Sequence, residues 1–320
     1  KGNALGPAEQ PGPPPFQEMV WIPGGVFVMG SNDHYPEEAP AHKAYVDGFW
    51  MDKTPLTNAQ FRRFVEETGY VTVAERIPNA ADYPGAKAEM LVAGSTVFKK
   101  PRQPVDLNNH YNWWHWAPGA DWRHPSGPRS SLNGRDRRPV VHVAWEDVET
   151  YARWAGKDLP SEAEWEFAAR GGLEGAEFAW GDEMTPGGKF MANTWQGDFP
   201  YRNLMSDGFE GTSPVGVYPA NGYGLYDIIG NVWEWTSDWY TSQHPVSKAC
   251  CTVANPRGGD REQSYDPQQP GIYIPRKVIK GGSHLCAPNY CRRYRPAARM
   301  AQQLDTGACH VGFRCIVRPG

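Results

Sequence analysis

This sequence predicts an α+β fold built as one large, loop-rich domain with little regular secondary structure. Three observations predict it. Gly (35), Pro (30) and Trp (14) are abundant in a chain of 320 residues, a mix in which indoles, rather than long helices and sheets, fill much of the core. Helical periodicity is confined to a few short stretches, with strand-like apolar runs scattered between them. No repeat period and no clean linker interrupt the chain after residue 18, so a single sizeable core is expected.

Taken in order, residues 1–18, with Pro11, Pro13, Pro14 and Pro15, read as a disordered or extended Pro-rich leader, and residues 19–320 as the domain. Met19 to Gly30 reads as a strand broken by Pro23-Gly24-Gly25 and then resumed, and Tyr45 to Asp52 as one strand facing a core. Between them His34 to His42 is a polar, acidic loop. Thr57-Asn-Ala-Gln60 is a capping-box pattern followed by Phe61, Phe64 and Val65 at helical spacing, which places a first helix over 58–68. Residues 71–135 carry many turn residues and little periodicity. Within them the cluster Trp113-Trp114-His115-Trp116 and Trp122-Arg123-His124-Pro125 reads either as core packing or as the lining of a groove for an extended peptide. Val140 to Val143 reads as a short buried strand leading into a helix over 145–155. Ser161 and Glu164 form a second capping box and Gly171 sits where a C-cap belongs, so a further helix is expected over 162–170.

The formal net charge of -4 gives no electrostatic footprint for nucleic acid or an anionic membrane surface. No apolar run approaches the length of a membrane span.

The chemistry concentrates in Lys280-Gly-Gly-Ser-His-Leu-Cys-Ala-Pro-Asn-Tyr-Cys-Arg-Arg-Tyr-Arg295. A step of five residues rotates about 140° on a helix and lands on the opposite face of a strand, so neither element puts Cys286 and Cys291 on one side. A turn does, and Ala287-Pro288-Asn289 is turn chemistry. Arg292, Arg293 and Arg295 supply positive charge that favours thiolates. Two convergent thiols have three uses: a structural disulfide, a redox pair, or a soft-metal site. Spacing alone leaves all three open, the disulfide being the commonest. Without a third or fourth Cys or His at regular spacing a structural zinc site is disfavoured, and Cu(I) is the soft ion that suits two sulfurs.

Several blocks together, FVMGS (27–31), RPVVHVAWEDVETYARWAGKDLPSEAEWEFAARGG (138–172), ANTWQGDFP (192–200), GTSPVGVYPANGYGLYDIIGNVWEWTSDWY (211–240), KGGSHLCAPNYCRRYR (280–295) and HVGFRC (310–315), resemble the formylglycine-generating enzymes, the sulfatase-modifying-factor family. The likeness covers nearly the whole chain beyond residue 18. It implies the formylglycine-generating-enzyme / C-type-lectin-like fold type. It also implies a copper-dependent oxidase that uses O2 to convert the cysteine of a C-x-P-x-R motif, in an unfolded or nascent sulfatase, to Cα-formylglycine. By position, Cys286 and Cys291 become the Cu(I) ligands, Ser283 the serine beside them, and Trp233 a tryptophan near the oxygen pocket. Candidate substrate-binding residues are Asp82 and Glu89 for the substrate arginine, with Trp113, Trp114, Arg123 and Tyr290 around the peptide.

The resemblance also implies two structural Ca2+ sites, for which oxygen-only donors are suitable. One comprises Asn193, Thr194, Asp207 and Phe209, the other Asp227, Gly230, Asn231, Val232 and Glu234. Without the family each set reads as turn-forming Asx residues. The cysteines of the family's secretory disulfides fall here at Ala152, Ala169 and Pro296, which leaves Cys315 without its usual partner and points to a cytoplasmic enzyme of bacterial type, expected to be a monomer. Cys250, Cys251 and Cys309 match no framework, and His310 stands where the family has asparagine. The alternative reading is a non-catalytic binding module on the same scaffold, which has no need of the paired thiols.

Overall fold

The interruption at Pro23-Gly24 separates two strands that join different sheets. In the computed structural model, which describes residues 6–246 and 251–319, β1 (Met19–Ile22) and β2 (Gly25–Met29) flank it. Residues 6–18 hold neither helix nor strand. Ala8 nonetheless donates its N–H to the Pro23 carbonyl (2.7 Å) and accepts the Trp21 indole N–H (3.0 Å).

The single strand expected over Tyr45 to Asp52 is two, β3 (His42–Val46) and β4 (Phe49–Asp52). At Asp47 the backbone N–H leaves the ladder for the side chain of Asn255 (2.9 Å), and the chain changes sheet. β3 lies between β2 and β8 (Val253–Ala254), while β4 lies between β1 and β12 (Ile316–Val317).

The three α-helices among the described residues are α1 (Asn58–Thr68), α2 (Trp145–Trp154) and α3 (Glu162–Arg170). Both capping boxes form as read: Thr57 and Gln60 satisfy each other's backbone N–H, as do Ser161 and Glu164. Gly69 and Gly171 end their helices in the left-handed conformation. Phe61 and Phe64 on α1 pack against Tyr151 of α2. Every residue of α3 is buried, its charges included, so this helix is the centre of the domain rather than a surface element.

Two expectations change. The 71–135 region contains an antiparallel hairpin, β5 (Gly94–Phe98) with β6 (Trp114–Pro118). Its strands are separated by a long connection with no tight-turn signal, so local patterning could not announce the pairing. Val140 to Val143 is buried as expected but is not a strand. His142 takes φ +61°, which breaks any ladder, and the N–H groups of Val140 and His142 go to the carbonyls of Leu56 and Ala308.

The largest sheet has the order β10 (Arg299–Gln303), β9 (Arg276–Lys280), β7 (Trp233–Trp239) and β11 (Val311–Gly312). β9 and β10 are antiparallel neighbours, and the cysteine-bearing stretch is the connection between them.

Candidate metal and active site

The connection leaves β9 at Lys280 and must fold back on itself at once. Gly281 and Gly282 allow this with φ of +93° and +70°; a Cβ on Gly282 would lie 2.8 Å from the Arg293 carbonyl oxygen. The start of the loop therefore packs on its own end. Between them the turn forms as read, with the N–H groups of Tyr290 and Cys291 both donating to the Ala287 carbonyl (3.1 and 2.9 Å). It brings Cys286 Sγ to 3.4 Å from Cys291 Sγ, far beyond the roughly 2.05 Å of a disulfide bond. Both are buried free thiols that share an S–H···S contact. Ser283 donates its backbone N–H to Cys286 Sγ (3.4 Å), and its hydroxyl accepts the Leu285 N–H (3.2 Å).

Four arginines fasten the loop. Arg295 makes a bidentate, fully buried pair with Glu38 (2.5 and 2.8 Å), and Arg299 another with Glu162 (2.7 and 2.9 Å). Arg293 pairs with Glu37 (2.5 Å), stacks over Tyr35 at 3.8 Å from the ring centroid, and points Nη1 at Cys291 Sγ (3.9 Å). Arg292 reaches Glu177 (2.9 Å). Burial raises the Cys286 thiol further above its ordinary range, and its hydrogen bond to Cys291 makes it the proton holder. That same hydrogen bond, ahead of the Arg293 charge, lowers Cys291. The shared proton is thus drawn toward Cys286 and negative charge toward Cys291.

Trp233 is buried in the packed cluster that contains both cysteines, and donates its backbone N–H to the His310 carbonyl (2.8 Å). The His310 imidazole lies against Trp114 at 4.7 Å; its Nδ1 has no hydrogen-bond partner among the described residues. Burial, with His284 and His142 nearby, pushes its pKa down to about 3, so the ring is neutral. Beside the loop stands an aromatic wall. Tyr290 stacks on Phe199 at 4.6 Å, and Trp113 meets both edge-on at 5.3 and 5.4 Å. Trp113 is fully buried while Tyr290, 39 % exposed, forms the rim. Of the tryptophan cluster, Trp113 and Trp122 are core, while Trp114 packs half-buried beside Trp113.

The other substrate candidates make no hydrogen bond or ion pair with this loop among the described residues. Arg123 is paired with Glu75 (2.6 Å) and stacked over Trp122. Asp82 and Glu89 are exposed on single turns, Ala80–Asp82 and Ala88–Met90, and form no hydrogen bond or ion pair with residues 281–295. Sequence reasoning missed Phe199, Tyr35, Glu37 and Glu38. The acidic character of the 34–42 loop was the only signal for the last two.

Two oxygen-donor sets interlock at the base of the loop. Gly230 packs on the Asn193 backbone and donates its N–H to the Gly281 carbonyl (2.9 Å), while Asn231 donates its N–H to the Asn193 carbonyl (2.8 Å). Val232 is buried beside them. In the first set Asn193 Oδ1 is buried without a partner, Asp207 accepts from Gln196 (2.9 Å) and from the Phe209 N–H (3.1 Å), and the Thr194 carbonyl accepts from Gln196. In the second, Asp227 Oδ1 is buried without a partner while Oδ2 accepts the Gly216 N–H (2.7 Å). Burial pushes the Asp227 carboxyl up to about 6. Glu234 already has a countercharge: both its oxygens accept from Arg314 (2.8–3.0 Å) and one also from the Trp165 indole (2.7 Å).

No cluster of three or more His, Cys, Asp or Glu side chains suited to a metal occurs among the described residues, so the thiol pair is a two-sulfur donor set with no third protein ligand. That fits a low-coordinate soft ion. Fold and site together define an α+β scaffold that displays a buried dithiol on a loop fastened by arginines. Comparison with known proteins places it. The model of the sulfatase-modifying factor enzyme 1-like domain matches residues 6–319, and the chain belongs to that family. It is 52 % identical over 305 residues to the formylglycine-generating enzyme of Mycobacterium tuberculosis, covering 94 % of this chain and 98 % of that one. To the mouse formylglycine-generating enzyme it is 44 % identical over 320 residues, with 98 % of this chain and 79 % of that one covered. Among solved structures, PvdO from Pseudomonas aeruginosa matches with a TM-score of 0.61 at 24 % identity over 94 % of each chain, which supports the fold alone.

Proposed function

We propose that this protein is a formylglycine-generating oxidase, converting the cysteine of a C-x-P-x-R motif in an unfolded or nascent sulfatase to Cα-formylglycine with O2 as co-substrate. The observation that carries this is the buried Cys286–Cys291 pair at 3.4 Å, on a chain whose curated relatives of that name align over nearly its full length. Cys286 and Cys291 would hold Cu(I), which when bound supplies a soft centre for a third thiol and the redox chemistry with O2. The chain's own residues do the rest. Arg293 stabilises negative charge at Cys291, and its pair with Glu37 fixes where that charge is felt. Ser283 orients Cys286 through its backbone N–H. Tyr290 and Trp114 offer apolar faces on which an extended peptide can lie, and buried Trp113 and Trp233 keep water from the thiols.

Two structural Ca2+ ions complete the reading. The unpartnered Asn193 Oδ1 and Asp227 Oδ1 support one in each donor set, with Glu234 shared between the second ion and Arg314. A cytoplasmic enzyme of bacterial type is supported by Ala152, Ala169 and Pro296 at the family's disulfide positions and by Cys315 as a free buried thiol. No helix among the described residues is long and apolar enough to cross a membrane.

The test is aldehyde formation on a peptide containing Leu-Cys-Thr-Pro-Ser-Arg under air, with and without Cu(I). Turnover that needs copper and both cysteines is the expected result. No turnover despite stoichiometric copper loading overturns it in favour of a non-catalytic module.

A further inference from the structure

Buried arginines in this protein come with carboxylates. Arg295 has Glu38, Arg299 has Glu162, Arg314 has Glu234 and Arg170 has Glu166. Arg138 is only half-buried, and it is placed differently. Its Nε is buried without any partner, its Nη1 donates only to the Thr212 carbonyl, and it has no ion pair among the described residues. Arg135 stands close enough to depress the basicity of Arg138, as burial also does, and its own guanidinium has no ion pair among the described residues either. Two guanidinium groups thus share one wall without a countercharge.

That wall belongs to a cavity of about 480 Å³ lying between the end of β5, the segment 208–212 and residues 284–285 of the cysteine loop. Neither Cys286 nor Cys291 lines it. Lys100, already paired with Glu210, adds a third cation at the mouth, and Glu210 is the only acidic residue in the lining. The lining also holds apolar side chains, Phe98, Trp195 and Leu285. A concave site with a surplus of one sign of charge concentrates the potential felt by an incoming ligand, and guanidinium groups match the oxygen geometry of carboxylate, sulfate and phosphate heads. The volume is that of a small-molecule site.

We propose that this cavity binds a small organic anion, its oxyanion head on Arg135 and Arg138 and its apolar body against Phe98, Trp195 and Leu285. The ligand is recognised by that shared chemistry whether the head is a carboxylate or a sulfate or phosphate ester. This inference stands apart from the oxidase reading, since it concerns neither the thiols nor their metal.

The experiment is isothermal titration of the full chain, copper-free, at low ionic strength, with phenyl phosphate and separately with inorganic phosphate. Saturable one-to-one binding of phenyl phosphate is expected, at least about tenfold tighter than inorganic phosphate. Arg138→Gln or Arg135→Gln should each weaken it by at least about tenfold, the effect of one lost charge-assisted hydrogen bond. Arg153→Gln, remote from the cavity, should leave it unchanged. Each variant is checked for a native melting curve; should Arg138→Gln not fold, Arg135→Gln carries the test. Absence of saturable binding, binding indifferent to both substitutions, or equal binding of the bare ion and the aryl ester overturns the proposal.

Discussion

Among the described residues four cysteines are buried or half-buried free thiols, in two kinds of place, and the contrast isolates what the loop contributes. Cys315 and Cys309 are solitary. Burial, reinforced at Cys315 by the Asp52 carboxylate, pushes its thiol well above the ordinary range, and burial raises Cys309 to about 12. Such thiols behave as small apolar side chains. Cys286 and Cys291 are just as buried, yet each faces another sulfur, with a guanidinium beside Cys291. Burial makes a thiol inert; a second thiol and a fixed cation reverse that for one of the pair. The structure spends two backbone turns and four arginine pairs on producing that difference.

The contrast breaks most severely if the paired cysteines are dispensable. Cys286→Ala and Cys291→Ala are each expected to lower aldehyde formation on a C-x-P-x-R peptide by more than about 10³-fold, a loss of more than about 4 kcal/mol in transition-state stabilisation. Cys315→Ala should keep turnover within about threefold. Mass spectrometry of the peptide separates these outcomes.

Next in size is the fastening of the loop. Arg295→Met strands the fully buried Glu38 carboxylate, and denaturant titration should show a loss of about 3–5 kcal/mol. A loss below 1 kcal/mol would mean that the pair does not anchor the loop.

The base of the loop offers a pH test. The folded-state pKa of Asp227 is raised from 3.8 to about 6. Its contribution therefore favours the fold below the unfolded value and is lost as pH rises through about 6. In calcium-free buffer the protein should be less stable at pH 8 than at pH 5 by this contribution, about 1.4 kcal/mol, and Asp227→Asn should flatten that dependence. Saturating Ca2+, at about a hundred times its Kd, should restore about 2.7 kcal/mol at pH 8, and Asn193→Ala should reduce the gain. A melting temperature indifferent to both pH and Ca2+ would remove the cation from this region.

The smallest effect sharpens the comparison itself. In copper-free protein, iodoacetamide should modify Cys291 at pH values below the roughly 8.5 of an ordinary thiol, while Cys315 stays unmodified until unfolding. Arg293→Met should move the onset for Cys291 upward and slow the reaction a fewfold at neutral pH. Peptide mapping of the labelled protein reads both sites in one experiment.

Much of the local structure was legible in the residues. The capping boxes at Thr57 and Ser161 and the turn at Ala287-Pro288-Asn289 are decided by side chains reaching a few positions along the chain. Local chemistry also sufficed to see that Cys286 and Cys291 must meet. It failed where partners are remote. The β5–β6 pairing is separated by a long connection, and the break at Asp47 depends on Asn255, more than two hundred residues away.

By itself, then, the sequence determined the fold class, the helices and their ends, the dithiol turn, and the family. Only the tertiary structure decided what surrounds the dithiol: which glutamate answers which arginine, that Phe199 and Tyr35 stand at the loop, that Glu234 already faces Arg314, and that Arg138 pairs with no carboxylate among the described residues. The physical reason is range. Caps and turns are settled by atoms a few bonds apart, whereas pairing of buried charges is settled by which distant segments the closed core brings within 3 Å and removes from water.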